Sequence, residues 1–118
     1  MKLRLINIDE QLGVLRKIGK TTPEEIKANA VKYLKSGLTI AACPGLAKDD
    51  FNEKKVTIPI TPLTQTDGEW TWSSLLIYYL ENYSIPLPDD FISHMVNNSW
   101  VVDKEKAKAK FTLTDISE

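Results

Sequence analysis

The sequence predicts an α+β domain in which three helices pack against a mostly antiparallel sheet of four to five strands. Three segments carry apolar residues at helical spacing, and short stretches of alternating apolar and polar residues lie before and between them. At 118 residues, with 42% apolar and 26% charged side chains, the chain has the length and composition of a packed fold. We therefore expect residues 1–118 to form a single domain.

The N-terminal residues predict a strand and leave the next element open. Leu3 and Leu5 alternate with the charged Lys2 and Arg4, as in a half-exposed strand. The stretch 12–18 is compatible with either a second strand or a short helix.

The clearest helix signal covers residues 23–36. Thr22 is placed to cap this helix, Pro23 suits the first helical position, and Glu25 stands where a capping-box acid belongs. Apolar residues then recur on one face, and Gly37 follows as a helix stop.

The middle of the chain predicts two strands. Residues 38–43 form a largely apolar run that stops at Pro44. Residues 56–60 alternate like a strand, and Pro59 places this strand at an edge of the sheet or near a bulge.

A tight turn and a further strand follow. Asp67 and Gly68 favour a hairpin turn, because glycine adopts a positive φ without strain and aspartate tolerates it. In the strand 69–72, Trp70 and Trp72 share one face.

The last part of the chain predicts two more helices and two weaker elements. Residues 73–83 carry an apolar stripe, and a third helix begins at Asp89 and Asp90, where acids complement the helix dipole. Residues 100–102 predict a short strand. The segment 104–118 begins with alternating lysines and predicts either an edge strand guarded by lysine or a mobile tail.

Charge is unevenly distributed along the chain. Residues 56–103 contain no lysine or arginine, yet they hold six acids, all three tryptophans and three of the four tyrosines. This stretch is either the core-forming part of the fold, with a few acidic surface positions, or an acidic and aromatic surface that docks a basic partner.

Composition disfavours several classes of function. One cysteine excludes an internal disulfide, one histidine excludes a multi-histidine metal site, and the scattered glycines form no phosphate-binding loop. No apolar run reaches the ~18 residues of a membrane helix. Because cations are absent where aromatic residues concentrate, nucleic-acid binding is disfavoured as well. We expect a small cytoplasmic protein with no cofactor, metal, membrane or nucleic-acid partner.

Three clusters of residues could carry chemistry, and each has a structural interpretation. The segment 67–69 is typical of a hairpin turn, and the acid pair Asp89 and Asp90 is typical of a helix start. His94 lies beside the apolar face of the third predicted helix, where histidine is more often structural than a general base. The sequence identifies neither a nucleophile nor an orienting acid for it.

A frame of motifs extends from Tyr33 to Met95 and covers about half of the chain. Its most specific part is the sequence Thr-Asp-Gly-x-Trp-x-Trp at 66–72, followed by a helix that contains Tyr78 and Tyr79. With these motifs the chain resembles a family of small uncharacterised bacterial proteins. The resemblance implies an immunity protein, a small partner of a secreted or contact-delivered bacterial toxin, and it supplies no activity beyond that.

We therefore expect a non-enzymatic, immunity-type protein that binds a bacterial toxin domain, such as a nuclease, and occludes its basic cleft with an acidic, aromatic surface. The residues expected on that surface are Asp67, Glu69, Trp70, Trp72, Tyr78, Glu81, Asp89, Asp90 and Trp100. Two alternatives remain open: a structural or regulatory interaction module, including a homodimer, and a small enzyme that uses His94 with a nearby acid.

Overall fold

The computed structural model of the chain describes residues 4–42, 45–49, 51 and 53–117, with side chains described as far as Lys110. The described part is an α+β fold, as the sequence predicts. Its elements are β1 (Arg4–Leu5), α1 (Ile8–Ile18), α2 (Glu24–Lys35), β2 (Leu38–Ala42), β3 (Leu63–Thr66), β4 (Trp70–Ser73), α3 (Leu75–Tyr83), α4 (Asp89–Asn97) and α5 (Lys104–Ser117).

The four strands form one mixed sheet with the order β1-β4-β3-β2. β3 pairs antiparallel with both β2 and β4, whereas β1 pairs parallel with β4. Parallel pairing is available to β1 because a long connection, which includes α1 and α2, separates it from β4. The described residues thus contain five helices rather than the three expected, and the sheet is only partly antiparallel.

The three predicted helices are confirmed as α2, α3 and α4, but the start of α2 differs from the prediction. The hydroxyl of Thr22 does not cap the helix and instead donates to the backbone oxygen of Ile85 at 2.7 Å. Pro23 occupies the N-cap position. The side chain of Thr22 therefore ties the start of α2 to the segment after α3.

The open stretch 12–18 belongs to helix α1. The side chain of Asn7 caps this helix by accepting from the backbone nitrogen of Glu10 at 3.1 Å, and Gly19 ends it with a φ of 65°. Leu12 is the residue that α1 buries in the core.

Two predicted strands are wrong. Residues 56–60 contribute only an isolated bridge between Thr57 and Lys48, and the sheet instead uses the more polar β3. Residues 100–102 form no strand, because Trp100 adopts a φ of 60° that breaks an extended chain. The predicted strand at 38–43 is confirmed as β2, and Cys43 lies outside the described residues.

The lysine-rich C-terminal segment forms a helix instead of an edge strand. Asp103 starts α5, since its side chain accepts from the backbone nitrogen of Lys106 at 3.1 Å. Ala107 is fully buried, and its Cα lies 3.0 Å from where a Cβ on Gly68 would be. α5 is thereby packed against the turn between β3 and β4.

The core lies between β4 and the helices α2 and α4. Tyr33, Trp72 and Phe91 are fully buried, and their ring centroids lie 5.7–6.1 Å apart. The indole nitrogen of Trp72 donates to the backbone oxygen of Leu34 at 3.3 Å. These contacts fix α2 and α4 over β4, which positions the polar residues described below.

Gly37, in the bend between α2 and β2, lies so close to Trp72 that we expect a larger residue there to destabilise the fold. A Cβ on Gly37 would lie 2.6 Å from Cζ2 of the buried Trp72 ring, so Gly37→Ala should lower the free energy of unfolding by about 1–3 kcal/mol. Urea denaturation measures this change. The matched control is Gly13→Ala in α1, where nothing lies within 4 Å of the added atom and alanine should slightly stabilise the helix. Equal stability of the two variants would contradict this packing.

Candidate functional site

The turn between β3 and β4 is held by the side chain of Asp67. Its Oδ1 accepts from the backbone nitrogens of Glu69 and Trp70 at 2.9 and 2.8 Å. Gly68 has a φ of 99°, and its backbone nitrogen donates to the hydroxyl of Thr66 at 3.0 Å. The predicted hairpin turn is therefore confirmed, with its aspartate turned inward, since the side chain of Asp67 is only 2% exposed.

The second oxygen of Asp67 joins the turn to α2 and α4. Asp67 Oδ2 accepts from the hydroxyl of Tyr33 at 2.5 Å and lies 2.7 Å from Nε2 of His94. Burial, together with the hydrogen bond to Asp67 and its charge, raises the pKa of Tyr33 well above its ordinary value of 10.0. Tyr33 therefore stays a neutral hydrogen-bond donor.

His94 lies between two carboxylates. Its Nδ1 is 3.1 Å from Oε2 of Glu69, on the opposite side of the ring from Asp67. A ring protonated at both nitrogens donates to both carboxylates, whereas a neutral ring donates to only one. The histidine is 17% exposed, so this arrangement lies at the protein surface rather than deep in the core.

Two further side chains complete this group of residues. Asn98 Nδ2 lies 3.2 Å from His94 Nε2 and 3.4 Å from the Tyr33 hydroxyl, and Lys110 Nζ donates to Glu69 Oε1 at 2.8 Å. We call the group the Asp67 cluster; it consists of Tyr33, Asp67, Glu69, His94, Asn98 and Lys110. It connects α2, the β3–β4 turn, α4 and α5, and it lines a cleft of about 300 Å³.

The contact between Glu69 and Lys110 predicts that the attachment of α5 to the β3–β4 turn weakens at acidic pH. The hydrogen bond from Lys110 lowers the pKa of Glu69 below its ordinary value of 4.5. The stabilisation from this contact is therefore fully present above pH 4.5 and is lost as the pH falls through the lower, folded-state pKa. NMR shifts of the Lys110 and Ala107 amides should report α5 loosening in that acidic range. In Glu69→Gln this step should be absent, and its persistence there would assign it to another group.

A second depression, which we call the α4 groove, adjoins the Asp67 cluster and shares Glu69 and His94 with its cleft. Its volume is about 580 Å³, and it is lined by Arg4, Glu69, Trp70, Asp90, Ser93, His94 and Asn97. Arg4 lies over the Trp70 ring at 4.0 Å from the centroid, and its Nη2 is 3.0 Å from Asp90 Oδ2. The Asp90 side chain is 71% exposed.

The fold brings together only some of the nine residues expected on one surface. Asp67, Glu69, Trp70 and Asp90 lie around the α4 groove or in the adjoining cluster. Asp89 stands beside Asp90 in the first turn of α4, as predicted for a helix start, with Oδ1 3.6 Å from Nζ of Lys20.

The expectation of exposed tryptophan anchors is wrong for β4. Trp70 and Trp72 are 4% and 0% exposed, because alternation along β4 places both on the face that the helices cover. Trp100 is half-buried against the core after α4. Aromatic area at the α4 groove is thus limited to the small exposed part of Trp70, whose ring is covered by Arg4.

Glu81 and Tyr78 lie in a different groove from the other predicted surface residues. Glu81 Oε2 is 3.7 Å from Nζ of Lys35, and both side chains are about half exposed. The hydroxyl of Tyr78 donates to the buried Asp49 at 2.7 Å; chiefly this hydrogen bond raises the pKa of Tyr78 well above 10.0. These two residues therefore do not extend the acidic surface around α4.

The acidic segment 56–103 is neutralised by cations from other parts of the chain. Four of its acids each lie within 4 Å of a lysine or arginine from before or after the segment. The pairs are Arg4–Asp90, Lys20–Asp89, Lys35–Glu81 and Lys110–Glu69. Acids and cations that are separated along the sequence thus largely meet in the folded protein.

Sequence reasoning missed the residues that join His94 in the Asp67 cluster. Tyr33, Asn98 and Lys110 carry no local signal of a site, and Tyr33 is separated from Asp67 by 34 positions. The orienting acids that the sequence did not identify are Asp67 and Glu69. Such pairing depends on the tertiary fold, so only a contact map would have revealed it.

The chemistry open to His94 is restricted by these contacts. Among the described residues, its side-chain partners are two carboxylates and an amide, and none of these is a hydroxyl or thiol nucleophile. No group of three or more histidine, cysteine, aspartate and glutamate side chains in the described ranges is arranged to hold a metal ion. The arrangement is well suited to holding helices in place and to presenting charge.

Comparisons of the chain with protein-family models, with curated proteins and with solved structures find no match. Within the described residues, no helix combines the length and the apolar character needed to cross a membrane.

Proposed function

We propose that this protein is a non-catalytic, immunity-type protein that neutralises a bacterial toxin domain in the cytoplasm by covering its basic cleft. The observation that supports this function best is the α4 groove, where the carboxylates of Glu69 and Asp90 lie in one depression. That the partner is a bacterial toxin is what the resemblance of the motif frame implies. A nuclease suits the proposal, because its cleft is built to attract a polyanion.

Asp90 of the α4 groove remains usable by a partner although Arg4 of the same chain pairs with it. Arg4 and Asp90 are both mostly exposed, and such a surface pair contributes only about 0–1 kcal/mol to stability. A partner arginine or lysine can therefore replace Arg4 on Asp90 at small cost. Docking also removes water from the groove, which strengthens the new pair.

The contacts of His94 favour a binding role over a catalytic one. A general base needs a ring nitrogen that is free to accept a proton from the substrate. Both nitrogens of His94 face carboxylate oxygens, those of Asp67 and Glu69. The ring is thus placed to hold the two acids in a fixed geometry beside the α4 groove.

A small enzyme that uses His94 is the alternative with a specific observation in its favour. Asp67 contacts Nε2 of His94 at 2.7 Å, which is the arrangement by which an acid orients a catalytic histidine. The two functions differ in what His94→Gln does. If His94 is catalytic, a folded His94→Gln variant should lose all activity. If the protein is an immunity protein, the same variant should bind its toxin with an affinity within about tenfold of that of the unsubstituted protein.

Growth rescue tests the proposal. The candidate toxin is the product of the reading frame directly upstream of the gene for this protein. This neighbouring product is expressed in a bacterial host with and without this protein. The two purified proteins are then titrated against each other by calorimetry. The proposal predicts toxicity of the neighbouring product alone, rescue by this protein and by His94→Gln, and a complex in the titration. A neighbouring product that neither impairs growth nor binds would overturn the proposal.

A further inference from the structure

A third groove lies between β3 and α3 and shares no lining residue with the α4 groove or the cleft of the Asp67 cluster. Its volume is about 610 Å³, which is within the usual range of small-molecule sites. Its walls are largely apolar and include the side chains of Ile60, Leu63 and Ile77. We call it the β3 groove.

Gln65 lines the β3 groove and carries an unsatisfied acceptor. The residue is only 6% exposed, and its Nε2 donates to the backbone oxygen of Gly37 at 3.3 Å, which assigns the other end of the amide as oxygen. Among the described residues, Gln65 Oε1 is the buried side-chain polar atom that has no hydrogen-bond partner. Buried carbonyl oxygens are normally paired, because one that has lost water and gained no donor destabilises the fold.

Ser74, Lys35 and Glu81, which also line the β3 groove, are already engaged. The hydroxyl of Ser74 donates to the backbone oxygen of Thr61 and accepts from the backbone nitrogen of Leu63, both at 2.8 Å. Lys35 and Glu81 face each other as an exposed pair. The Gln65 acceptor therefore needs one donor, and that donor must be neutral, because burying a charge against apolar walls costs far more than burying a neutral group.

We propose that the β3 groove binds a small, neutral, mostly apolar molecule with a single N–H or O–H donor, of the indole or phenol type. The ring packs on Ile60, Leu63 and Ile77, and the donor points to Oε1 of Gln65. This site goes beyond the proposed neutralising function, because it uses a separate surface and a different class of ligand.

Two probes of the same size test the site: indole, which has an N–H donor, and benzofuran, which has an oxygen in its place. Each is titrated into the full chain, and amide shifts are followed by NMR. Indole should cause saturable shifts at Leu63, Gln65 and Ile77. Benzofuran should bind roughly tenfold more weakly, because it leaves the Gln65 oxygen without a donor.

The variant Gln65→Met removes the acceptor at nearly constant volume and should bind both probes equally weakly. Gln11→Met, the same substitution on α1, should keep the full preference for indole. The proposal is overturned if indole gives no saturable shifts up to millimolar concentration, if benzofuran binds as well as indole, or if Gln65→Met keeps the preference. If Gln65→Met does not fold, the comparison of the two probes on the unsubstituted chain decides alone.

Discussion

Replacing Asp67 with alanine is expected to destabilise the protein by about 3–5 kcal/mol, a large part of the stability of an ordinary domain. The Asp67 carboxylate is nearly inaccessible, accepts from the backbone nitrogens of Glu69 and Trp70 and from the Tyr33 hydroxyl, and lies 2.7 Å from Nε2 of His94. Alanine leaves these donors inside without an acceptor. Urea denaturation at neutral pH measures the loss.

The matched control is Asp90→Ala, which removes a carboxylate from the exposed Arg4–Asp90 pair. Because that pair is on the surface, its loss should change stability by no more than about 1 kcal/mol. If Asp67→Ala unfolds at the same urea concentration as Asp90→Ala, the Asp67 cluster does not hold α2, α4 and the turn together.

Reversing the charge of both Glu69 and Asp90 to lysine should weaken toxin binding by about 2–5 kcal/mol, which is the second large effect. Both carboxylates lie in the α4 groove, and their reversal places two cations opposite the basic cleft of the partner. Like charges in a desolvated interface repel strongly, and removal of the acids also slows association. Calorimetry gives the change in affinity, and stopped-flow mixing at two salt concentrations gives the change in association rate.

Glu24→Lys serves as the control for this reversal. Glu24 begins α2, is largely exposed and contacts Lys27 at 3.7 Å, and it lines neither the α4 groove nor the adjoining cleft. The substitution Glu24→Lys should therefore leave the affinity for the toxin nearly unchanged. Full affinity in a folded Glu69→Lys, Asp90→Lys double variant would remove the α4 groove from the interface.

Local signals in the sequence account for the parts of the fold that were predicted. The 3.6-residue period of apolar side chains identifies α2, α3 and α4, and the two-residue alternation of Trp70 and Trp72 identifies the strand β4. Turn chemistry at Asp67 and Gly68 is equally local. These features depend on neighbours along the chain, so the sequence is sufficient for them.

Elements whose formation depends on tertiary packing were not predicted. β3 consists of Leu-Thr-Gln-Thr and lacks a strong apolar pattern, while its place in the sheet is set by pairing with β2 and β4. The alternation of lysine with Glu105, Ala107 and Ala109 imitates a strand, yet burial of Ala107 against the β3–β4 turn favours a helix. Tertiary contact overrides the local pattern in both cases.

The candidate site was predicted in part, because its acids carry a local signal and their partners do not. The cation-free segment correctly marks a stretch whose acids, apart from Asp103, have no lysine or arginine near them along the chain. It does not indicate that Arg4, Lys20, Lys35 and Lys110 fold back to meet four of those acids. The net charge of a segment therefore overstates the negative field of the surface it forms.

The central claim is that a basic toxin domain docks on the α4 groove. Amide hydrogen exchange, measured on this protein alone and in complex with the product of the neighbouring reading frame, locates the docking surface most directly. The account predicts that slowed exchange in the complex is concentrated around Asp90, Ser93 and Asn97. Slowed exchange confined to α3 and the region around Glu81, with α4 unchanged, would contradict it.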